Sequence, residues 1–346
     1  MRPKGQTGTV TLSLLMLGLA GASPSSRQPV GQLVHIATVP EPVTLLASSD
    51  TLYIASAPCP RGHGCSFVYS MPLAGGGLKV LNSTPLDRTV AGLAITGNEL
   101  LVAMRHPPTV PEDSSLATIP LAGGPATLLD VEPPTVDLAR VTTAGDFIYI
   151  VDSEAGPNGS GVIFRMPRKG GPLEVVAQGP PLRDPVGIAA SKAGDALYVC
   201  DYNGPIVPTP SAPAPRPHND PGEPGMIFRI PLNAGLPATP QLIAQGGMLK
   251  NPADLVLVGN TLYVADEGAT ATSPPGIYSL PLAGWTPGQD WTSHLEVVYQ
   301  GKPFVEPMAL AYREGNLYIG DDGGHAVYRL PLRQERLLEA ARPGAP

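Results

Sequence analysis

Glu41, Asp184, Asn251 and Glu306 each stand directly before a proline (Pro42, Pro185, Pro252 and Pro307) at the start of an apolar run. Carboxylate and amide oxygens are the donors a hard cation such as Ca2+ takes. If the runs are gathered round one axis, these four residues form a candidate site for Ca2+ or another divalent metal at a channel mouth. The local alternative is that each side chain only caps the turn before its proline. A second group is basic. Four of the six histidines, His63, His106, His218 and His325, fall in irregular segments that follow a short apolar run, with Arg105 and Asp322 beside them. These six are the candidate ligand-binding face. Cys59 and Cys65 close the segment Cys-Pro-Arg-Gly-His-Gly-Cys. In an exported chain two cysteines this close are most simply a disulfide, although with His63 they also resemble part of a soft-metal site. Cys200 sits inside an apolar run and reads as a small buried residue. Asp152, Asp201, Asp266 and Asp321 end four such runs. A periodic Asp of this kind is expected to accept backbone N–H bonds in the next turn.

The chemistry that is missing narrows the classes. No nucleophile elbow, His-Glu-x-x-His pair or phosphate loop is present, so no catalytic residue is assigned. The formal net charge is −7, from 22 basic and 29 acidic residues, with no run of Lys or Arg. A nucleic-acid partner is therefore not expected.

These residues must be positioned by a repeat. The phrase Val68-Tyr69-Ser70-Met71-Pro72-Leu73 returns as Leu116–Leu121, Ile163–Pro167, Ile227–Leu232, Ile277–Leu282 and Val327–Leu332. A unit of about 50 residues repeated in this way predicts a propeller or solenoid. Each repeat carries four strand signals, a to d. Strand a is apolar, and strand b carries pairs such as Leu52-Tyr53 and Leu197-Tyr198. Between a and b lie Gly97-Asn98, Gly145-Asp146, Gly194-Asp195, Gly259-Asn260 and Gly315-Asn316, which are strong hairpin signals. The b–c connections are long: Ala57–Ser66, Arg105–Ser114, Ser153–Gly161, Tyr202–Gly225 and Glu267–Gly276. The 40 glycines and 43 prolines fall mainly at these turns. The exception is a Pro-rich insertion within 202–225, expected to be exposed and extended.

The expected fold is all-β: a six-bladed β-propeller of four-stranded antiparallel blades over residues 32–332. The sixth repeat stops after strand c, and Leu33–Ala37 is a d-type strand with no blade before it. That strand is expected to complete the last blade and close the ring. Residues 1–22 read as a signal peptide: Arg2 and Lys4, an apolar stretch from Val10 to Ala20, then small residues before Ser23. Residues 23–31 are expected to be an exposed segment, and 333–346 a charged tail. The chain is thus expected to be secreted or periplasmic, without a transmembrane segment, and monomeric.

The Leu-Tyr-Val-x-Asp and Ile-Phe-Arg-x-Pro-Leu phrases resemble blades of the TolB-like six-bladed superfamily, which includes NHL-repeat, YWTD and SMP-30/gluconolactonase-like propellers. The resemblance covers nearly all of the mature chain. It implies the fold, but it is compatible with binders, scaffolds and enzymes. The lactonases of that group carry a metal-binding Asn in Asn-Gly-Leu-Ala, a following Ser-x-Asp-Gly, a ligand in Pro-Asp-Gly, and an N-terminal Glu-x-Pro. The matching positions are Val186, Ala193 and Ala253, while Glu41 lies one place later than the family's Glu. Three readings follow. The first is a non-catalytic module binding a protein, peptide or glycan on its b–c loop face. The second is a divergent metal-dependent hydrolase using Glu41, Asp184, Asn251 and Glu306. The third is a structural envelope component.

Overall fold

The computed structural model describes residues 31–58, 65–84, 86–105, 114–202, 224–268 and 273–332. They form six four-stranded antiparallel sheets in a propeller arrangement. After β1 (Val34–Thr38), blade I holds β2 (Pro42–Ser48), β3 (Thr51–Ser56), β4 (Phe67–Pro72) and β5 (Lys79–Val80). Blade II holds β6 (Thr89–Thr96), β7 (Glu99–Arg105), β8 (Ser115–Pro120) and β9 (Thr127–Leu129). Blade III is β10 (Leu138–Ala144), β11 (Phe147–Asp152), β12 (Val162–Pro167) and β13 (Glu174–Gln178). Blade IV is β14 (Asp184–Ala190), β15 (Ala196–Tyr202), β16 (Met226–Pro231) and β17 (Gln241–Gln245). Blade V is β18 (Pro252–Val258), β19 (Thr261–Asp266), β20 (Gly276–Pro281) and β21 (Glu296–Gln300). Blade VI takes β22 (Pro307–Arg313), β23 (Asn316–Asp321) and β24 (Ala326–Pro331), and is completed by β1 (Val34–Thr38).

The ring closes as the sequence predicts. β1 pairs antiparallel with β24, from Val34 opposite Arg329 to Thr38 opposite Ala326. Without β1, the outer edge of blade VI would present an unpaired row of N–H and C=O groups.

The core is distributed between blades. Apolar side chains of adjacent sheets interlock at each blade-to-blade interface: Leu52 and Met71 of blade I meet Tyr318 and Val327 of blade VI, for example. Alternate residues of each strand face opposite neighbours, which is why the central strands read as nearly continuous apolar runs.

Two hairpin expectations are refined. In blade VI the turn residues are Glu314 and Gly315, both with left-handed φ (49° and 77°), one place earlier than the Gly315-Asn316 expected. In blade IV the a–b connection is not a two-residue turn. It runs over 191–195, and the Ser191 hydroxyl accepts the Asp195 and Ala196 N–H groups at 3.1 Å each. The extra length comes from Lys192 and Ala193, which separate Ser191 from the glycine.

The expected signal peptide and the tail 333–346 lie outside the described residues, as does most of the Pro-rich insertion. Among the described residues no helix is long and apolar enough to cross a membrane.

Candidate functional site: the channel and its loop-bearing mouth

Every strand a contains a bulge, after which one residue faces the axis of the ring. The registers assign this position to Thr44, Gly92, Gly187, Asp254 and Ala309, opposite Ala55, Ala103, Cys200, Ala265 and Gly320 near the end of each strand b. In blade III the corresponding irregular step, between Leu138 and Val141, contains Arg140. Small residues at three of these positions leave room for its long side chain. A Cβ on Gly92 would lie 2.9 Å from the Val141 backbone N and 3.1 Å from the Arg140 Cα, so only glycine lets β6 and β10 approach this closely.

Arg140 is buried. Its Nη1 donates to the Ala91 carbonyl at 2.5 Å, and its Nη2 to the carbonyls of Val43 and Met308, each at 2.8 Å. Its Nε lies 3.5 Å from Oδ2 of Asp254. Asp254 in turn accepts the N–H groups of Leu255 and Leu310, each at 2.9 Å. One guanidinium therefore links the innermost strands of blades I, II, III, V and VI. Burial pushes the Asp254 carboxyl above its ordinary range, and Arg140 and the two N–H donors pull it back. A charge pair this deep persists because both members have further hydrogen-bond partners.

The ends of strand b carry the periodic aspartates, and these are staples. Oδ2 of Asp152 accepts the Val136 N–H at 2.7 Å, while Oδ1 accepts those of Asp137, Glu154 and Ala155 at 3.0, 3.1 and 3.0 Å. Asp201 accepts the N–H groups of Arg183 and Asp184 at 2.9 and 3.1 Å. Asp266 accepts those of Lys250 and Gly268, each at 2.8 Å, and Asn251 at 3.3 Å. Asp321 accepts Glu306 at 2.6 Å and Val305 at 3.1 Å. Each staple fixes the entry to its own blade, while the following turn, where the periodicity led us to expect the donors, supplies Glu154, Ala155 and Gly268. In blade I, Ser56 takes the corresponding place and donates to the Pro40 carbonyl.

The channel mouth lies above this layer. Glu267, the first residue after β19, accepts the hydroxyl of Tyr202. Its carboxyl is pushed up to about 8, first by burial and then by the neighbouring carboxylates Glu306 and Asp322, with Arg140 opposing. Glu306 was expected at this mouth from the sequence. Glu267 and Tyr202 were not: both directly follow a strand-b aspartate, as Ser153 and Asp322 do, but the residue type at this position differs from repeat to repeat.

The other expected site residues distribute as follows. Glu41 has a left-handed φ of 44°, and its N–H donates to Nδ1 of His325 at 3.1 Å. His325 is itself left-handed, with φ 51°, and its carbonyl accepts the Val39 N–H at 3.0 Å. Glu41 and His325, assigned to two separate groups on sequence grounds, thus meet at the seam of the ring. Asn251 donates from its side chain to the Gly268 carbonyl at 3.0 Å. Asp184 is buried, and Glu306 is half-buried. Among the described residues no three or more His, Cys, Asp or Glu side chains are gathered as they are around a metal ion. The set Glu41, Asp184, Asn251 and Glu306 does not fit a metal in this arrangement, and no reaction step is assigned to one. Arg105 points to the next blade, with Nε 3.4 Å from the Leu138 carbonyl and 3.2 Å from Oδ1 of Asp137. Asp322 lies beside Glu267 at the mouth, where its charge raises the Glu267 carboxyl. His63, His106, His218 and Cys59 lie outside the described residues, and with Cys59 so does the expected bridge to Cys65. Cys200 is buried and unbridged.

No family model and no curated protein matches the sequence. Solved structures do. The nidogen/laminin complex contains a chain matching at 18% identity and a TM-score of 0.56, over 79% of this chain and 88% of that one. A gluconolactonase from Xanthomonas campestris matches at 17% and 0.58, over 88% and 90%. The PQQ domain of pyranose dehydrogenase from Coprinopsis cinerea matches at 13% and 0.59, over 89% and 99%. At such identities the likeness is one of fold, shared by proteins that bind and proteins that catalyse.

Proposed function

We propose that this chain is an exported binding module that recognises a protein, peptide or glycan through the face carrying its b–c loops. The observation that carries this reading is the asymmetry of the connections. At one end of the blades the a–b links are two residues long in all but blade IV. At the other, the b–c links include 57–66, 106–114, 153–161, 203–225 and 267–275. Insertions concentrated on one face of a repeat fold are how such folds build a recognition surface. The pinned channel supports a ligand that docks on the mouth rather than threading the ring, because Arg140 and Asp254 occupy the axis below it. His63, Arg105, His106, His218, Asp322 and His325 are the residues we assign to this face, and a Cys59–Cys65 disulfide would stiffen its first loop. The reading includes export by the N-terminal leader, a monomeric state and no cofactor.

The test is a glycan array and a peptide array probed with the full chain, a variant lacking 205–224, and variants with the other b–c loops shortened. Specific ligands that disappear with loop removal are expected. A binding profile unchanged in every loop variant would overturn the reading.

The second reading is a divergent metal-dependent hydrolase. Its support is the likeness of fold to the gluconolactonase from Xanthomonas campestris. Elemental analysis of the purified chain decides it: without a stoichiometric divalent ion, and without lactone hydrolysis that falls in Glu306→Ala, it is discarded.

A further inference from the structure

The sixfold phrase breaks once. Five repeats end strand c in Pro-Leu, and blade III ends in Pro167-Arg168. The backbone does not register the change. The Arg168 N–H donates to the Asp146 carbonyl at 2.9 Å, as Leu73, Leu232 and Leu282 donate to Asp50, Asp195 and Asn260 at 2.8 Å each. Those leucines are packed into or against the interlocking apolar layers between blades. Arg168 instead donates from Nε to the Gly145 carbonyl at 2.8 Å and from Nη1 to the Ile95 carbonyl at 3.3 Å. A second departure lies opposite, where blade IV has its lengthened a–b link carrying Lys192.

Both departures line one cleft of about 610 Å³ between blades III and IV, on the face away from the b–c loops. Arg165, Arg168 and Lys192 contribute charge, half-buried Phe147 aromatic surface, and Thr142 and Thr143 hydroxyls. The volume is that of a small-molecule site. Arg165 stacks over the Phe147 ring at 4.4 Å and is neutralised by Glu174, Nη2 to Oε2 at 2.8 Å. Among the described residues Arg168 has carbonyl partners only, which leave its charge uncompensated, and Lys192 is exposed. Against them the lining sets one carboxylate, Asp146. The chain as a whole carries −7, so this cleft is a local reversal of sign. A guanidinium keeps donors available after two are committed, in a geometry that matches an oxyanion.

We propose that the cleft between blades III and IV binds a small anionic ligand, whose carboxylate or phosphate group is held by Arg168 and Lys192 and whose body lies against Phe147. This site is separate from the b–c face and stands or falls independently of the function proposed above.

The experiment is calorimetric and thermal-shift titration of the full chain at constant ionic strength, with inorganic phosphate, glucuronate and, as the neutral control, glucose. A saturable response to phosphate or glucuronate and none to glucose is expected, and the preferred anion identifies the headgroup. Arg168→Leu restores the residue of the other five blades and is expected to melt no lower than the parent while binding about tenfold more weakly or worse. Exposed Lys192→Gln keeps the test valid if Arg168→Leu fails to fold, and is also expected to weaken binding. The proposal is overturned if neither anion gives a saturable response. It is equally overturned if a folded Arg168→Leu, or Lys192→Gln, binds as the parent does.

Discussion

Nε of Arg140 lies 3.5 Å from Oδ2 of Asp254, and the two residues come from strands a of blades III and V. With its three carbonyl partners Arg140 spans more of the ring than any backbone bond could. Arg140→Met is expected to lower stability by about 3–5 kcal/mol, because it strands Asp254 and three buried carbonyls together. Arg140→Lys is expected to rescue only part of this, since one ammonium cannot reproduce a forked donor set. Urea midpoints measure both. Equal stability of Arg140→Met and the parent would remove the axial role.

Glu267 makes stability depend on pH. Its folded-state value of about 8 exceeds its ordinary 4.5, so between these limits the folded chain holds a proton that the unfolded chain has released. Stability contributed by the protonated form is complete below 4.5 and is lost as pH rises towards 8, with a slope of at most ~1.4 kcal/mol per pH unit. Glu267→Gln is expected to flatten the decline between pH 5 and pH 8, read as the difference between parent and variant urea midpoints. An identical slope in the two proteins would refute the assignment.

Asp152 distinguishes a staple from a spare charge. Asp152→Ala removes the acceptor of four backbone N–H groups, and unsatisfied buried donors cost about 1–3 kcal/mol each, so a loss of ~3 kcal/mol or more is expected. Asp152→Asn keeps an oxygen for the three donors at Oδ1 but turns an NH2 towards Val136, and should fall between. Chemical denaturation of both variants provides the check, and a neutral Asp152→Ala would contradict the role.

The seam gives the fourth expectation. A chain beginning at Glu41 lacks β1 together with Ala37 and Val39, both buried. Loss of that strand is expected to lower the melting temperature by about 5 °C or more, taking ~3 kcal/mol as the minimum cost. An unchanged midpoint would show that β1 decorates the ring instead of closing it.

Much of this architecture was readable because propeller strands are short, apolar and bounded by Gly, Asn and Asp. The terminal strand could be placed because the sixth repeat lacks its own d strand. The staples were readable for the same reason, as a residue type recurring at one position. The axial pair was not. Arg140 and Asp254 each occur once, inside runs that otherwise look like ordinary strand a, and only the bulge in each strand turns them towards the axis. The signal was a lone charge in an innermost strand, in Leu138-Ala139-Arg140-Val141. Glu267 and Tyr202 were missed because their contact joins blades IV and V, and nothing local links residues 65 apart. Arg168 was visible as a gap in the Pro-Leu phrase, but its meaning depends on the longer turn of the adjacent blade.

β1 has a further consequence, for the order of events during synthesis. The segment from Val34 to Thr38 is the first strand of the ring to be made and pairs with Ala326–Arg329 of the last. Five blades can form from near neighbours in the chain, whereas the sixth must wait until the other five have been made. Contacts this distant are slow to form. Until then β1 has no sheet to join, and an unpaired strand is where a folding chain is most exposed to wrong partners. The strand made first is the one placed last.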